Sequence, residues 1–116
     1  MLDWNGYKKE LLSRVADLGK LSPEIVRGYR QLTDAGKAKN VLGAKTRELI
    51  ALAVAVTRQC DGCITIHTDA AIKEGATRDE VAEALGVAIA VNAGATLVFS
   101  ARVMDAYAAK ESPQAE

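Results

Sequence analysis

Both cysteines and the only histidine of this chain lie in one short stretch, "RQCDGCITIH", residues 58–67. Cys60 and Cys63 are three residues apart, and His67 follows Cys63 by four. Residues at these separations share one face of a helix, so the three side chains would form a single stripe. Unpaired amides and the helix dipole favour thiolate over thiol at a helix start, and a nearby imidazolium adds to this effect. The spacing therefore predicts a redox-active dithiol, with Cys63 the better candidate nucleophile because it is nearer to His67.

Glu48 is the candidate partner of the histidine. If the helices on either side of residues 58–60 form an antiparallel hairpin, Glu48 and His67 lie at similar heights, given a rise of roughly 1.5 Å per residue. A carboxylate beside an imidazole makes it a stronger base and supports a proton relay. Glu48 also suits a simpler role, as an acidic residue in the first turn of a helix whose start carries Lys45 and Arg47. The sequence is compatible with both roles.

The cysteine pair could instead be core filler, a set of zinc ligands or a haem attachment site. Free cysteine packs as a small hydrophobe, so the pair could fill a core. Cys60, Cys63, His67 and Glu48 could bind zinc, but three ligands on one short helical stripe surround a metal poorly. The motif of a c-type haem is excluded because Ile64, not histidine, follows the second cysteine. Since sulfur can carry both electrons of a redox cycle, we expect no metal, haem or flavin cofactor.

Length and composition narrow the class of protein. The 116 residues are sufficient for one domain, 1–116, and the 15 basic residues balance the 15 acidic ones. A neutral chain with 4% aromatic residues is a poor candidate for binding nucleic acid or a membrane surface. The apolar segment 84–101 has eight alanine or glycine residues among its 18 and contains Asn92, Thr96 and Ser100, a composition that suits helix packing better than lipid. With no basic, apolar leader at the start, these features predict a soluble, cytoplasmic protein.

Alanine-rich, amphipathic segments predict an all-α, single-domain bundle of five to six helices. Gly19 and Gly75 are expected helix stops, Ser22–Pro23 an expected start, and "TRDE" at residues 77–80 a capping box. The "NAG" at residues 92–94 is expected to break or bend the last apolar segment. The tail from residue 110 is expected to be frayed. The predicted helices cover residues 7–18, 23–39, 44–57, 61–74, 77–91 and 96–109.

The stretch "TRELIALAVAVTRQCDGCITIH", residues 46–67, resembles the core of the carboxymuconolactone decarboxylase superfamily. It is particularly similar to the alkylhydroperoxidase D-like branch, whose signature is E-x11-C-x2-C-x3-H; this chain has that spacing at Glu48, Cys60, Cys63 and His67. The similarity extends over residues 42–107 and is loose before residue 41. Two departures are that Gly43 replaces a capping side chain and that the longer peroxidases of this type carry two such modules.

The resemblance implies an all-helical homo-oligomer, a trimer or hexamer, with thiol peroxidase activity. By this similarity Cys63 would attack a hydroperoxide and Cys60 would resolve the sulfenic acid as a disulfide. Glu48 and His67 would form the proton relay. An external dithiol of lipoyl or thioredoxin type would reduce the disulfide, although a single-module chain weakens the expectation of a lipoyl partner.

Two alternative functions remain open. The lactone decarboxylases of the superfamily need proton transfer and anion binding, which His67 and Arg102 could supply, but the cysteines would then have no role. A non-enzymatic protein, such as a redox-switched oligomer or a chaperone-like assembly, would use the disulfide to change an interface. Double replacement of the cysteines would leave a decarboxylase active, whereas a redox switch would change size on oxidation.

Overall fold

The computed structural model describes residues 1–112, and over that range it consists of helices joined by short turns. The all-α fold class is confirmed, with five helices. The predicted tail begins inside the last helix, and its residues 113–116 lie outside the described part of the chain. The helices are α1 (Trp4–Leu21), α2 (Pro23–Lys37), α3 (Ala44–Thr57), α4 (Asp61–Lys73) and α5 (Arg78–Glu111).

The hairpin of α3 and α4 is the centre of the fold. α3 packs against both α4 and α5, whereas α1 packs against α4 and α2. The few buried residues belong to the three central helices. The hairpin therefore carries the cysteine motif at its turn, with α5 packed on α3 and α1 packed on α4. The buried residues are Leu52, Ala55, Thr65, Ala71 and Ala88.

A single chain leaves much of its apolar surface uncovered. Its radius of gyration is 20.2 Å, whereas a compact domain of this length would have about 13 Å. The second half of α5 exposes six large apolar side chains, each 65–76% accessible. α2 likewise exposes Ile25, Tyr29 and Leu32 along one face. The α5 residues are Leu97, Val98, Phe99, Val103, Met104 and Tyr107.

The expected break at residues 92–94 is wrong, because α5 runs without interruption from Arg78 to Glu111. The side chain of Asn92 donates to the carbonyl oxygen of Ala88, one turn back, and to Thr57 Oγ1 on α3, both at 2.8 Å. Asn92 thus makes its hydrogen bonds without leaving the helix. Gly94 lowers helix stability by only about 1 kcal/mol, and no proline is present to remove a backbone bond.

The predicted end of the first helix at Gly19 is also wrong. α1 continues through Gly19 to Leu21, and Ser22 then donates its amide to Leu18 O at 2.8 Å. The helix ends there because a residue before proline avoids the helical conformation, and Pro23 opens α2. A single glycine is therefore a weaker stop signal than the proline.

The predicted helix caps around residues 75–80 are confirmed. Thr77 Oγ1 accepts the Glu80 amide at 3.1 Å, and Glu80 Oε1 accepts the Thr77 amide at 3.0 Å, which completes the capping box. Gly75 has φ +85°, and the amides of Gly75 and Ala76 close the end of α4. These caps fix the sharp turn between α4 and α5.

Among residues 1–112, α5 is the one helix long and apolar enough to cross a membrane by length and composition. A helix covered by other protein surfaces meets the same two criteria. Length and composition therefore do not distinguish a lipid environment from a protein environment for α5. Its contacts with α3 are the relevant observation.

Candidate active site

A tight turn at the end of α3 places Cys60. The amides of Gln59 and Cys60 donate back to Val56 O at 3.2 Å and to Ala55 O at 3.0 Å. This pattern requires a left-handed residue, and here it is Gln59, with φ +52°, instead of the usual glycine. The turn reverses the chain within three residues and sets Cys60 directly before α4.

Cys60 is the N-cap residue of α4. Its Sγ atom accepts the amide of Cys63 at 3.2 Å, which satisfies one of the unpaired amides of the first turn. The two cysteines form a disulfide, with Cα atoms 5.3 Å apart, inside the usual range for such bonds. Both residues are half-buried. The structure thus brings the two sulfurs together at a helix start, as the spacing predicts.

Glu48 reaches across the hairpin to His67. Glu48 Oε2 lies 2.7 Å from His67 Nδ1, and the side chains of glutamate and histidine are 18% and 31% accessible. An ionised carboxylate can only accept, so Nδ1–H is the donor and Nε2 is the nitrogen left to exchange a proton. His67 lies one turn after Cys63 on the same stripe of α4. The arrangement can therefore orient an imidazole beside a thiol.

The simpler role considered for Glu48 does not match its position. The first turn of α3 contains no acidic residue, and the Glu48 side chain is engaged by α4. The start of α3 is instead joined to the start of α5 by an ion pair, with Lys45 Nζ and Glu80 Oε2 2.7 Å apart. The Lys45 ammonium lowers the pKa of Glu80, with the Thr77 amide contributing in the same direction.

The remaining candidate residues are placed as follows. In the described range 1–112, no cluster of three histidine, cysteine or acidic side chains has the geometry to hold a metal ion. Arg102, the possible anion ligand of a decarboxylase, lies on the exposed second half of α5. Its guanidinium carbon is 4.9 Å from the centre of the Phe99 ring. The guanidinium thus contacts an aromatic ring on its own helix.

Sequence reasoning missed two residues behind the motif, Tyr7 and Leu11. Both lie close to Gly62, the residue before Cys63. A methyl group on Gly62 would lie 2.9 Å from Leu11 Cδ2 and 3.9 Å from the Tyr7 hydroxyl oxygen. The apolar stripe of α1 predicts that α1 packs on something, but nothing in the sequence identifies the partner as the residue between the cysteines.

Comparisons with known proteins place this geometry in a family. The family model described as "Carboxymuconolactone decarboxylase family" matches residues 23–106. The chain belongs to the carboxymuconolactone decarboxylase family. The match begins well before residue 42 and includes all of α2, whereas α1 precedes it.

Relatives of this family member cover nearly its whole length. An uncharacterized Haemophilus influenzae protein is 46% identical over 110 residues, 95% of this chain and 97% of that protein. An uncharacterized Cupriavidus necator protein is 30% identical over 95 residues, 82% of this chain and 84% of that one. The crystal structure of a carboxymuconolactone decarboxylase family protein from Legionella pneumophila in its apo form is 36% identical and has a TM-score of 0.73. The superposition covers 90% of this chain and 93% of that one.

Proposed function

We propose that this family member is a thiol-dependent peroxidase of the alkylhydroperoxidase D-like branch, acting in the cytoplasm. The observation that carries the proposal is the Cys60–Cys63 disulfide at the start of α4, with the hydrogen-bonded pair Glu48–His67 one turn further along. A lactone decarboxylase would use the base but not the dithiol. Peroxide reduction uses all four residues.

In the proposed cycle Cys63 is the attacking residue. Its thiolate attacks the terminal oxygen of a hydroperoxide ROOH, the O–O bond breaks, and the products are Cys63 sulfenic acid and ROH after one proton is taken up. Cys60 then attacks the sulfenic sulfur, which forms the disulfide and releases water. An external dithiol reduces the disulfide by exchange and is itself oxidised. Two electrons pass from the dithiol to the peroxide.

The two cysteines receive different support for these roles. His67 follows Cys63 by four residues and its Nε2 is free of Glu48, so it can take the Cys63 proton and later protonate the alkoxide. The Cys63 amide, which donates to Cys60 Sγ at 3.2 Å, stabilises negative charge on Cys60, as a resolving nucleophile and leaving group requires. The arrangement favours attack by Cys63 and resolution by Cys60.

We further propose that the working protein is a homo-oligomer, a trimer or hexamer, since a second copy would cover the apolar faces of α2 and α5. A monomer with a radius of gyration of 20.2 Å leaves more apolar surface in water than soluble monomers usually carry. The substrate would be a hydroperoxide and the reductant an external dithiol.

The decisive experiment is a hydroperoxide consumption assay with reduced protein, cumene hydroperoxide and dihydrolipoamide. We compare the wild type with Cys63→Ser and Cys60→Ser. Wild type should turn over; Cys63→Ser should be inactive; Cys60→Ser should react once and stop as a sulfenic acid that dimedone traps on Cys63. A trapped adduct on Cys60 in the Cys63→Ser variant would reverse the assignment of the two cysteines.

Two outcomes would overturn the proposal as a whole. If wild type consumes no hydroperoxide with any dithiol supplied, but changes size on oxidation, the protein is a redox switch. If both serine variants match the wild type, the cysteines have no part in catalysis.

A further inference from the structure

We propose that α1 is a brace for the cysteine motif, with Leu11 and Tyr7 as positioning residues that stabilise the Cys60–Cys63 disulfide relative to the dithiol. The inference deepens the proposed function, because it concerns the redox balance of the same pair. It does not depend on peroxide being the substrate. α1 lies outside the residues that match the family model.

One face of α1 is laid against the back of α4. Trp4, Tyr7, Lys8 and Leu11 are the half-buried residues of its first two turns, and they share one helical face. The rings of Trp4 and Tyr7 meet edge to face, with centroids 6.3 Å apart, which restrains the tyrosine. The stripe therefore presents the Tyr7 hydroxyl and the Leu11 methyl groups as a fixed surface.

Polar contacts set the position of α1 along α4. Lys8 Nζ forms an ion pair with Asp69 Oδ2, and Thr65 Oγ1 donates to the backbone carbonyl of Trp4 at 3.5 Å. Thr65 is buried, so a shift of α1 would remove its partner from a polar group inside the protein. These two contacts, together with the apolar stripe, favour the register in which Leu11 meets the cysteine turn.

The surface of α1 meets α4 at Gly62, between the two cysteines. A Cβ atom on residue 62 would lie 2.9 Å from Leu11 Cδ2, so the end of the Leu11 side chain would have to move away from α4. Gly62 thus lies in direct contact with the Leu11 side chain, and its φ angle is outside the left-handed region. The backbone of residues 60–63 is consequently supported from behind by α1.

This support matters most when the disulfide is open. The first turn of a helix lacks part of its backbone hydrogen bonds and frays readily. In the dithiol form the turn is held by the Cys60 cap and by α1, whereas in the disulfide form the sulfur–sulfur bond holds it. A brace on Gly62 therefore reduces the conformational freedom mainly of the dithiol form. It keeps the Cα atoms of Cys60 and Cys63 near the 5.3 Å separation of the disulfide, which favours disulfide formation.

The test is the equilibrium between the protein and dithiothreitol, measured without peroxide. In this exchange the protein disulfide gains two electrons and two protons, and dithiothreitol loses them as it closes to its cyclic disulfide. We compare Leu11→Ala with Leu12→Ala, which removes the same atoms from the next residue of α1. Leu12 faces α2 and not α4. The alkylated fraction at each redox ratio is measured by mass spectrometry.

Leu11→Ala should lower the equilibrium constant for disulfide formation about tenfold, an increase in potential of about 30 mV. Leu12→Ala should leave it at the wild-type value. Equal constants for the two variants would overturn the brace, and failure of the peroxidase assay would not affect this comparison.

A second variant keeps the proposal testable if Leu11→Ala unfolds. Gly62→Ala leaves α1 intact and increases the helix propensity of α4, yet it should shift the constant in the same direction because the new methyl group displaces Leu11. Combining Gly62→Ala with Leu11→Ala should then shift it by less than the sum of the two effects. Additive shifts would contradict a contact between these two residues.

Discussion

Replacing Glu48 by glutamine is the most direct test of the relay, because it keeps the size of the side chain and removes its charge. The 2.7 Å contact with His67 Nδ1 lies in the range of charge-assisted hydrogen bonds. Such bonds contribute about 1.5–3 kcal/mol, and neutral ones about 0.5–1.5 kcal/mol. The midpoints of these ranges differ by about 1.2 kcal/mol, which is close to the value of about 1.36 kcal/mol that corresponds to one decade in an equilibrium or a rate. We therefore expect the Glu48→Gln variant to form the Cys63 thiolate about tenfold less readily.

The assay is the rate of alkylation of reduced protein by iodoacetamide between pH 5 and 9. The fractions modified at Cys60 and at Cys63 are resolved by peptide mass spectrometry. Glu83→Gln is the matched control, since Glu83 is an exposed carboxylate on α5. The Cys63 rate should fall in Glu48→Gln alone, together with hydroperoxide turnover. If the two variants and the wild type share one pH profile, the carboxylate does not act through His67 and the relay is wrong.

Three further predictions concern the turn before α4, the cap of α5 and the exposed faces. Gln59→Gly should raise the free energy of unfolding, measured in urea, by about 1 kcal/mol. The reason is that the left-handed conformation of residue 59 is unfavourable for any residue with a side chain. An unchanged free energy would mean that the turn is unstrained. Glu80 has a lowered pKa owing to Lys45 and Thr77, so its contribution to stability is present at neutral pH and is lost as pH falls through that lowered value. Wild type should therefore exceed Glu80→Gln in urea stability at pH 7 and converge with it in acid, and a constant difference would contradict this linkage. Leu97→Asp with Phe99→Asp should reduce the mass found by light scattering, whereas a monomeric wild type would refute the proposed assembly.

The site was more predictable from the sequence than the boundaries of the helices. The pairing of Glu48 with His67 was one of two roles that the sequence left open. It depended on an antiparallel hairpin, in which the rise per residue and the position of the turn put the two residues at similar heights. The turn itself depends on Gln59, which has a positive φ angle. Glutamine, unlike glycine or asparagine, has no marked preference for that conformation. Its conformation is imposed by the packing of α3 on α4, which only the structure contains.

The errors in the sequence predictions have one physical origin. Gly19 and the segment 92–94 are expected helix stops only by local propensity, which is worth at most about 1 kcal/mol per glycine. Tertiary bonds of similar size, such as Asn92 to Thr57 at 2.8 Å, offset that preference. The brace of α1 on Gly62 was missed for the same reason, since a steric requirement between distant segments leaves no trace in either segment alone.

The contacts of α5 with α3 also distinguish lipid from protein as the cover of its apolar face. A segment of 18 residues rises about 27 Å, so 84–101 could span a bilayer only with Asn92 near the midplane. Asn92 is bonded to Thr57 on α3, and Arg58 is the next residue along that chain. Crossing a membrane would draw the end of α3, with Arg58 and the start of α4 with Asp61, toward the hydrocarbon. A charge at that depth costs at least about 2.5 kcal/mol. In the proposed homo-oligomer, a second copy of the chain would cover the same face without moving these charges, and its own apolar faces would be covered in turn.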